Sequence, residues 1–283
     1  RGLGTIPDTK SYVIEHPAGR DWREYRMVTL QWIGGVVIIG VLIGLVIFYL
    51  ARGSIRIERG RSGIKIVRFN AFERFIHWMT ASCFVVMALT GLNITFGRAL
   101  LLPLLGPEAF STFSEWGKYA HNFLSFPFTI GVIVIFVIWI TGNIPNKVDV
   151  DWVKRGGGIV GHDHPPAYRF NAGQKGIFWI QMLGGTAMVI TGFLLLFPFY
   201  GTTVGDMQLA EVAHSVVAML YIAAILGHIY IGTLGMEGAF EAMGSGTVDL
   251  NWAKEHHSLW LEQEKARIGA NESQPQPMGA PAE

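Results

Sequence analysis

Charge is scarce in this chain, and cysteine almost absent. Only 15% of its 283 residues are Asp, Glu, Lys or Arg, against about a quarter in a soluble globular domain. So few ions cannot cover a water-facing exterior, which argues against an ordinary soluble domain and for a membrane protein. The single cysteine, Cys83, excludes an internal disulfide and any CxxC cluster; it lies in an apolar run and is expected to be a small packing residue. A formal net charge of +1 leaves no electrostatic footprint for nucleic acid. Five stretches carry no Asp, Glu, Lys or Arg at all: 27–51, 75–97, 119–146, 176–205 and 212–236. Zinc and di-iron sites would want carboxylates or a tighter cluster there. A transporter or proton channel, the rival from another class, usually places ionisable residues at mid-bilayer, and these runs have none.

What is present is length. Each run exceeds the roughly 18–20 apolar residues that carry a helix across a ~30 Å hydrocarbon core, and backbone groups facing lipid must be paired within the helix. The expected fold is therefore an all-α membrane protein with five spans. Its segments are an N-terminal tail (1–26), an additional first helix (27–51), a basic linker (52–74), a four-helix core (75–236) and a C-terminal tail (237–283). The first run has no small-residue cleavage site behind it and is expected to be a retained helix rather than a signal peptide. The end, 271–283, is polar and Pro-rich and is expected to be disordered.

Lys and Arg counts orient the chain. Residues 52–74 hold seven, 98–117 one, 143–175 five, 206–211 none, and the tail after 236 three. The alternation predicts a periplasmic N-terminus and a cytoplasmic C-terminus, against three arginines (Arg20, Arg23, Arg26) close to the first helix.

Four of nine histidines lie inside the runs: His77, His121, His214 and His228. In that orientation His77 and His228 sit toward the cytoplasmic side, His121 and His214 toward the periplasmic side, each depth drawing on two helices. Fourteen residues separate His214 from His228, an advance of about 21 Å and a rotation about 40° short of four full turns. Both imidazoles thus leave nearly the same face. Two imidazoles on opposite sides of a flat ring are what a b-type haem needs, so the pattern predicts two haems stacked across the bilayer. A lone histidine at a helix end more often bonds a nearby carbonyl, but four paired by depth and face are hard to reach by accident. Gly91, Gly131, Gly184, Gly185, Gly192 and Gly227 fit either room for a ring or close helix packing. Pro127 is expected to kink its helix and help aim His121. His162, His164, His256 and His257 have no third ligand fixed nearby and are expected to be solvated rather than metal ligands, with a structural role favoured for the last two.

From about Ile66 to Arg267, some 70% of its length, the chain resembles the gamma subunit of respiratory formate dehydrogenase, a four-helix membrane cytochrome b. The stretches that carry the resemblance are RFNAFERFIHW (68–78), KYAHNF (118–123), GNIPNKVDVDW (142–152), FNAGQKGIFW (170–179), VAHSVVAMLYIAAILGHIY (212–230) and NWAKEHHSLWLEQEKA (251–266). The histidine pair fourteen apart is shared more widely, including with the cytochrome b subunits of nickel–iron hydrogenases, the alternative reading. The resemblance implies the same haem pairing, His77 with His228 and His121 with His214. It also implies a site for menaquinone or ubiquinone beside the inner haem, built from Asn171, Gly173, Gln174 and Lys175. Taken alone, that loop also reads as a helix start, Asn171 capping it and Gly173 turning the chain. Implied partners are an iron–sulfur beta subunit, a molybdenum- or tungsten-containing alpha subunit, membrane lipid and a higher-order assembly of the complex. The chain departs from the family at its front, where about 65 residues and one helix precede the core. That helix has no polar candidate ligand and reads as a packing face for the core or a partner.

Overall fold

The computed structural model describes residues 17–158, 163–198 and 200–272. Five helices among them are long and apolar enough to cross a membrane: α1 (Gly19–Arg52), α2 (Ala71–Leu100), α3 (Pro107–Trp139), α4 (Ala172–Leu196) and α5 (Val204–Gly235). Each overlaps one apolar run of the sequence, but the boundaries differ. α3 begins at Pro107, well before Tyr119, and stops at Trp139 rather than residue 146. Charge marks where hydrocarbon ends, not where a helix ends. Glu108, Glu115 and Lys118 remain helical outside the apolar zone, so 33 residues reach about 50 Å, well beyond a ~30 Å core.

Helix starts are encoded locally. Asn70, Asn171 and Thr203 each accept a bond from the backbone N–H three residues on. Glu73, Gln174 and Asp206 each return one to the cap's own N–H. Reciprocal capping satisfies donors that a helix N-terminus leaves orphaned. α3 starts differently, with Gly106 at φ 78° turning the chain into Pro107 at the first helical position.

α2 packs chiefly on α3, α4 on α5, and α3 on α4. The core between them holds Ile76, Cys83, Phe128, Val132, Phe178, Met182 and Tyr221, with Cys83 in the packing position expected of it. Close approach is set by glycine: a Cβ on Gly131 would lie 2.0 Å from the Thr80 hydroxyl, and one on Gly185 3.2 Å from Val132. The additional helix α1 braces α5. Gly34 meets Met219, Phe48 and Tyr49 present edges to Tyr230, and Arg26 pairs with Glu211 at 3.0 Å. Its other face is open, with Trp32 and Leu50 more than 70% exposed, as a lipid-facing surface is.

One end of the bundle is capped by segments that sequence pattern alone left as a linker and a tail. β1 (Lys65–Val67) pairs antiparallel with β2 (Thr247–Asp249), Ile66 opposite Val248. The Asp249 carboxylate accepts from Ser62 N–H, the Ser62 hydroxyl and Gly63 N–H. Glu255 accepts from the N–H groups of Glu58 and Arg59, and Glu237 from that of Ile57. Short helices Ala239–Gly244, Leu250–His256 and Ser258–Glu272 complete the cap.

The expectation of solvated histidines is corrected for His256 and His257. They are 7% and 0% exposed, with rings 5.3 and 5.1 Å from the Trp252 ring, and His257 Nδ1–H donates to the Tyr168 carbonyl at 2.7 Å. Packing against Trp252, which is 2% exposed, outweighs their polarity, and theirs is a structural role. His164 stays partly exposed, its Nε2 3.1 Å from Glu58. His162 and residues 273–283 lie outside the described residues, as does most of the expected N-terminal tail.

Burial, reinforced by charge from His164 and Arg68, lowers the His256 pKa to about 4. His257 is pushed well below its ordinary value, chiefly by burial. Both rings are held neutral in the fold while the unfolded chain would take up protons near pH 6.5. Stability of the cap is then complete above about pH 6.5 and lost as pH falls from there toward about 4. Limited proteolysis of detergent-solubilised protein checks this: cleavage between residues 245 and 272 should accelerate at pH 5 relative to pH 7.5. Equal rates would show that these rings do not control the cap.

Candidate functional site

The bundle brings the four membrane histidines into two pairs. The rings of His77 on α2 and His228 on α5 are 6.2 Å apart, centre to centre. Those of His121 on α3 and His214 on α5 are 6.3 Å apart. A metal about 2 Å from one nitrogen of each imidazole would place the two ring centres about 6 Å apart. The spacing is compatible with two imidazoles sharing one metal, and each pair as it stands meets edge to face.

The helices position each histidine by simple register. His214 and His228 are four turns apart on α5, and Tyr221 lies midway between them. On α2, Phe84 is two turns beyond His77, and its ring meets that of Tyr221 at 4.8 Å. An aromatic pair thus separates the two levels, and the Tyr221 hydroxyl donates to Gln181 on α4. Glycine seats the rings at the other level: a Cβ on Gly91 or Gly192 would stand 3.4 Å from Cε1 of His121 or His214. Gly184 lies against the ring of Tyr221, and Gly227 beside His228 faces nothing within 4 Å. Of the six glycines, all but Gly227 lie against a protein side chain, the close-packing role expected of them. α3 runs unbroken through Pro127, six residues beyond His121.

Two residues of the site escaped sequence reasoning. Thr90 Oγ1 lies 2.9 Å from Nδ1 of His121, and Thr191 Oγ1 lies 2.9 Å from Nδ1 of His214. Each hydroxyl has a single proton and directs it to a helix carbonyl, Val86 at 2.8 Å or Ala187 at 2.7 Å. Each oxygen therefore accepts the imidazole Nδ1–H. That fixes the tautomer and leaves the Nε2 lone pair for a metal. Nδ1 of His77, in contrast, is buried without a hydrogen-bond partner. The available signal was the dipeptide Thr-Gly, at Thr90–Gly91 and again at Thr191–Gly192.

Asn171, Gly173, Gln174 and Lys175 come together at the start of α4. Asn171 is the cap, its Oδ1 accepting from Gln174 N–H at 2.9 Å. Gln174 Oε1 accepts from Asn171 N–H at 3.1 Å and from Arg68 Nη2 at 3.3 Å. Gly173 lies where a Cβ would stand 3.2 Å from the Trp152 ring. Lys175 is 4% exposed, its ammonium held by Asp149 at 2.8 Å and the Ile144 carbonyl at 3.1 Å; it fastens the loop from below. Arg68 ties this corner to α2. It is buried over the rings of Trp252, Trp260 and Phe69, and it donates to the Arg169 carbonyl at 2.6 Å. Burial, with the charge of Arg169 beside it, lowers its pKa to about 9, which leaves it charged at neutrality. Arg169 in turn pairs with Glu73 at 2.8 Å, one helical turn before His77.

The family described as prokaryotic cytochrome b561 matches residues 68–246, from the residue after β1 through α5 to the turn before β2. Three curated relatives point the same way. The nitrate-inducible formate dehydrogenase cytochrome b556(Fdn) subunit of Escherichia coli K12 is 30% identical over 208 residues, covering 71% of this chain and 93% of that one. The formate dehydrogenase cytochrome b556(fdo) subunit of the same strain is 29% identical, covering 70% and 92%. The formate dehydrogenase cytochrome b556 subunit of Haemophilus influenzae is 27% identical, covering 71% and 84%. Family membership implies b-type haem and a multi-pass place in the inner membrane. With five membrane-length helices and histidines spaced for axial ligation, the chain belongs to the prokaryotic cytochrome b561 family and, within it, to the formate dehydrogenase cytochrome b subunits.

Proposed function

We propose that this chain carries electrons across the membrane for a formate dehydrogenase complex. They come from a periplasmic iron–sulfur subunit, pass two b haems, and reach a quinone near the cytoplasmic side. The observation that carries the reading is the pair of imidazole pairs, 6.2 and 6.3 Å between ring centres, stacked along α5. Bound haem supplies one-electron transfer. The protein's own part is to grip from both sides, exclude water and separate the levels. His121 and His214 hold the site toward the periplasm, His77 and His228 the one toward the cytoplasm. Phe84 and Tyr221 fill the space between. Formate is oxidised in a separate molybdenum- or tungsten-containing subunit.

The capped end is the cytoplasmic one in this reading, since residues 52–74 carry seven Lys and Arg. The quinone binds at the start of α4, with Asn171, Gly173 and Gln174 building its site beside the inner haem. Lys175 contributes by fixing the loop through Asp149 rather than by contact. Of the backbone N–H groups at this helix start, those of Ala172 and Gly173 stay outside the reciprocal cap and are suitable donors to a quinone carbonyl. Electrons moving inward with proton uptake from the cytoplasm charge the membrane, each elementary charge being worth about 2.3 kcal/mol per 100 mV.

Haem-to-protein stoichiometry by pyridine haemochrome is the direct test. Two b haems per chain support the reading, and none removes it. The loop assignment has its own check in the intact complex. Gln174→Ala should slow quinone reduction by roughly 10- to 100-fold while formate still reduces both haems. Unchanged quinone turnover would remove the loop from the site.

A further inference from the structure

We infer that Thr90 and Thr191 are positioning residues that lower the reduction potential of the haem between His121 and His214, making electron transfer toward His77 and His228 downhill. The inference rests on the two-haem reading above. Its basis is an asymmetry between the levels. At one, both imidazoles donate Nδ1–H to a threonine oxygen at 2.9 Å. Each of those oxygens has its own proton committed to a helix carbonyl, Val86 at 2.8 Å or Ala187 at 2.7 Å. At the other, Nδ1 of His77 is buried and unpartnered.

A hydrogen bond accepted from Nδ1–H draws that proton partly away from the ring and leaves Nε2 a stronger electron donor. A stronger donor favours the oxidised, more positive iron, so the potential falls. Hydrogen bonding around axial ligands is one of the protein's levers on haem potential. A carbonyl-committed hydroxyl is a better acceptor than a free one, because bonds in a chain polarise each other. The construction occurs on two different helices, α2 and α4, each time as Thr followed by a Gly against which the imidazole rests. The duplication acts on both axial ligands of one level.

The test is potentiometry of the complete complex, following each haem in reduced-minus-oxidised spectra. Thr90→Val and Thr191→Val should each shift that haem's oxidised-to-reduced ratio about tenfold toward the reduced form, about 59 mV upward for one electron. The His77/His228 haem should keep its potential, and the low-spin ferric signal of the altered haem should move with it. Thr→Ser at either position retains the hydroxyl and should restore the native potential. An unchanged potential in the double valine variant, with both haems present, overturns the inference; so does an equal shift of both haems. If the double variant loses the haem, Thr90→Ser and Thr90→Ala decide. A native potential in the first with a raised one in the second supports the inference, and equal potentials overturn it. A native complex containing no haem would defeat the two-haem reading itself, which is a separate outcome.

Discussion

His214→Ala should leave one haem of the two proposed, the missing one being that shared with His121. His228→Ala should give the converse, losing the haem shared with His77. The expectation is nearly all-or-none because each site is gripped from two helices. Removing one imidazole leaves a single axial bond and a gap with no replacement donor nearby. The two levels should respond independently. Thirteen residues of α5 lie between His214 and His228, which stand about 21 Å apart along the helix, and effects at sites more than about 10 Å apart with no shared partner are usually additive. Haem counting by pyridine haemochrome, with the surviving α-band identified in each variant, reads the result. Retention of both haems by either variant would mean that the pairing is misassigned. Loss of both by each would mean that the helices, not the ligands, had failed.

Glu73→Ala should be among the most damaging single substitutions outside the four membrane histidines, costing up to about 3 kcal/mol, the upper range for leaving a buried donor unsatisfied. The paired Arg169 is 35% exposed, so water screens its loss. Glu73 has a side chain 9% exposed and serves three groups: Trp139 Nε1 at 2.8 Å, Arg169 at 2.8 Å and the Asn70 N–H at 3.0 Å. Alanine would leave Trp139 Nε1 without its acceptor and remove the return bond to Asn70 N–H, while Arg169 would keep its bond to the Arg68 carbonyl at 2.9 Å. Glu73→Gln retains the reciprocal cap, since Gln also serves at that position, and an acceptor for Trp139. It should cost about 1 kcal/mol, roughly one net hydrogen bond. Because Glu73 is one turn from His77, the alanine variant should also release the His77/His228 haem first on warming in detergent. Thermal inactivation followed at both α-bands checks the order. Simultaneous loss of the two haems, or an alanine variant as stable as native, would contradict the network described here.

Much of the haem site was legible because a helix converts spacing into depth and direction. His214 and His228 are tied by register alone, and positive charge in the loops assigned His77 and His121 to their levels without any knowledge of packing. Capping by Asn171 was legible for the same reason, being a contact within four residues. Thr90 and Thr191 were not, because their partners are 31 and 23 residues away and threonine is common within membrane helices. The burial of His256 and His257 depends on Trp252 and on Arg68 from a distant segment, which no local pattern records. Lys175 misled in the other direction. Beside Gln174 it reads as part of a binding surface, yet its ammonium points to Asp149, 26 residues earlier, and only the folded chain shows that.

The fastening of residues 55–63 to the far end of the chain has a consequence for synthesis. Its bonds bridge separations of up to 197 residues, which a ribosome working at about 5–20 residues per second covers in roughly 10–40 s. α1 is therefore translated long before either α5 or the last helices exist to receive it. During that interval it can lean on α2, where Gln31 donates to the Thr95 carbonyl at 2.8 Å, while lipid solvates the apolar remainder of its surface. Assembly of the molecule then finishes by capture of a waiting segment, made early and secured late.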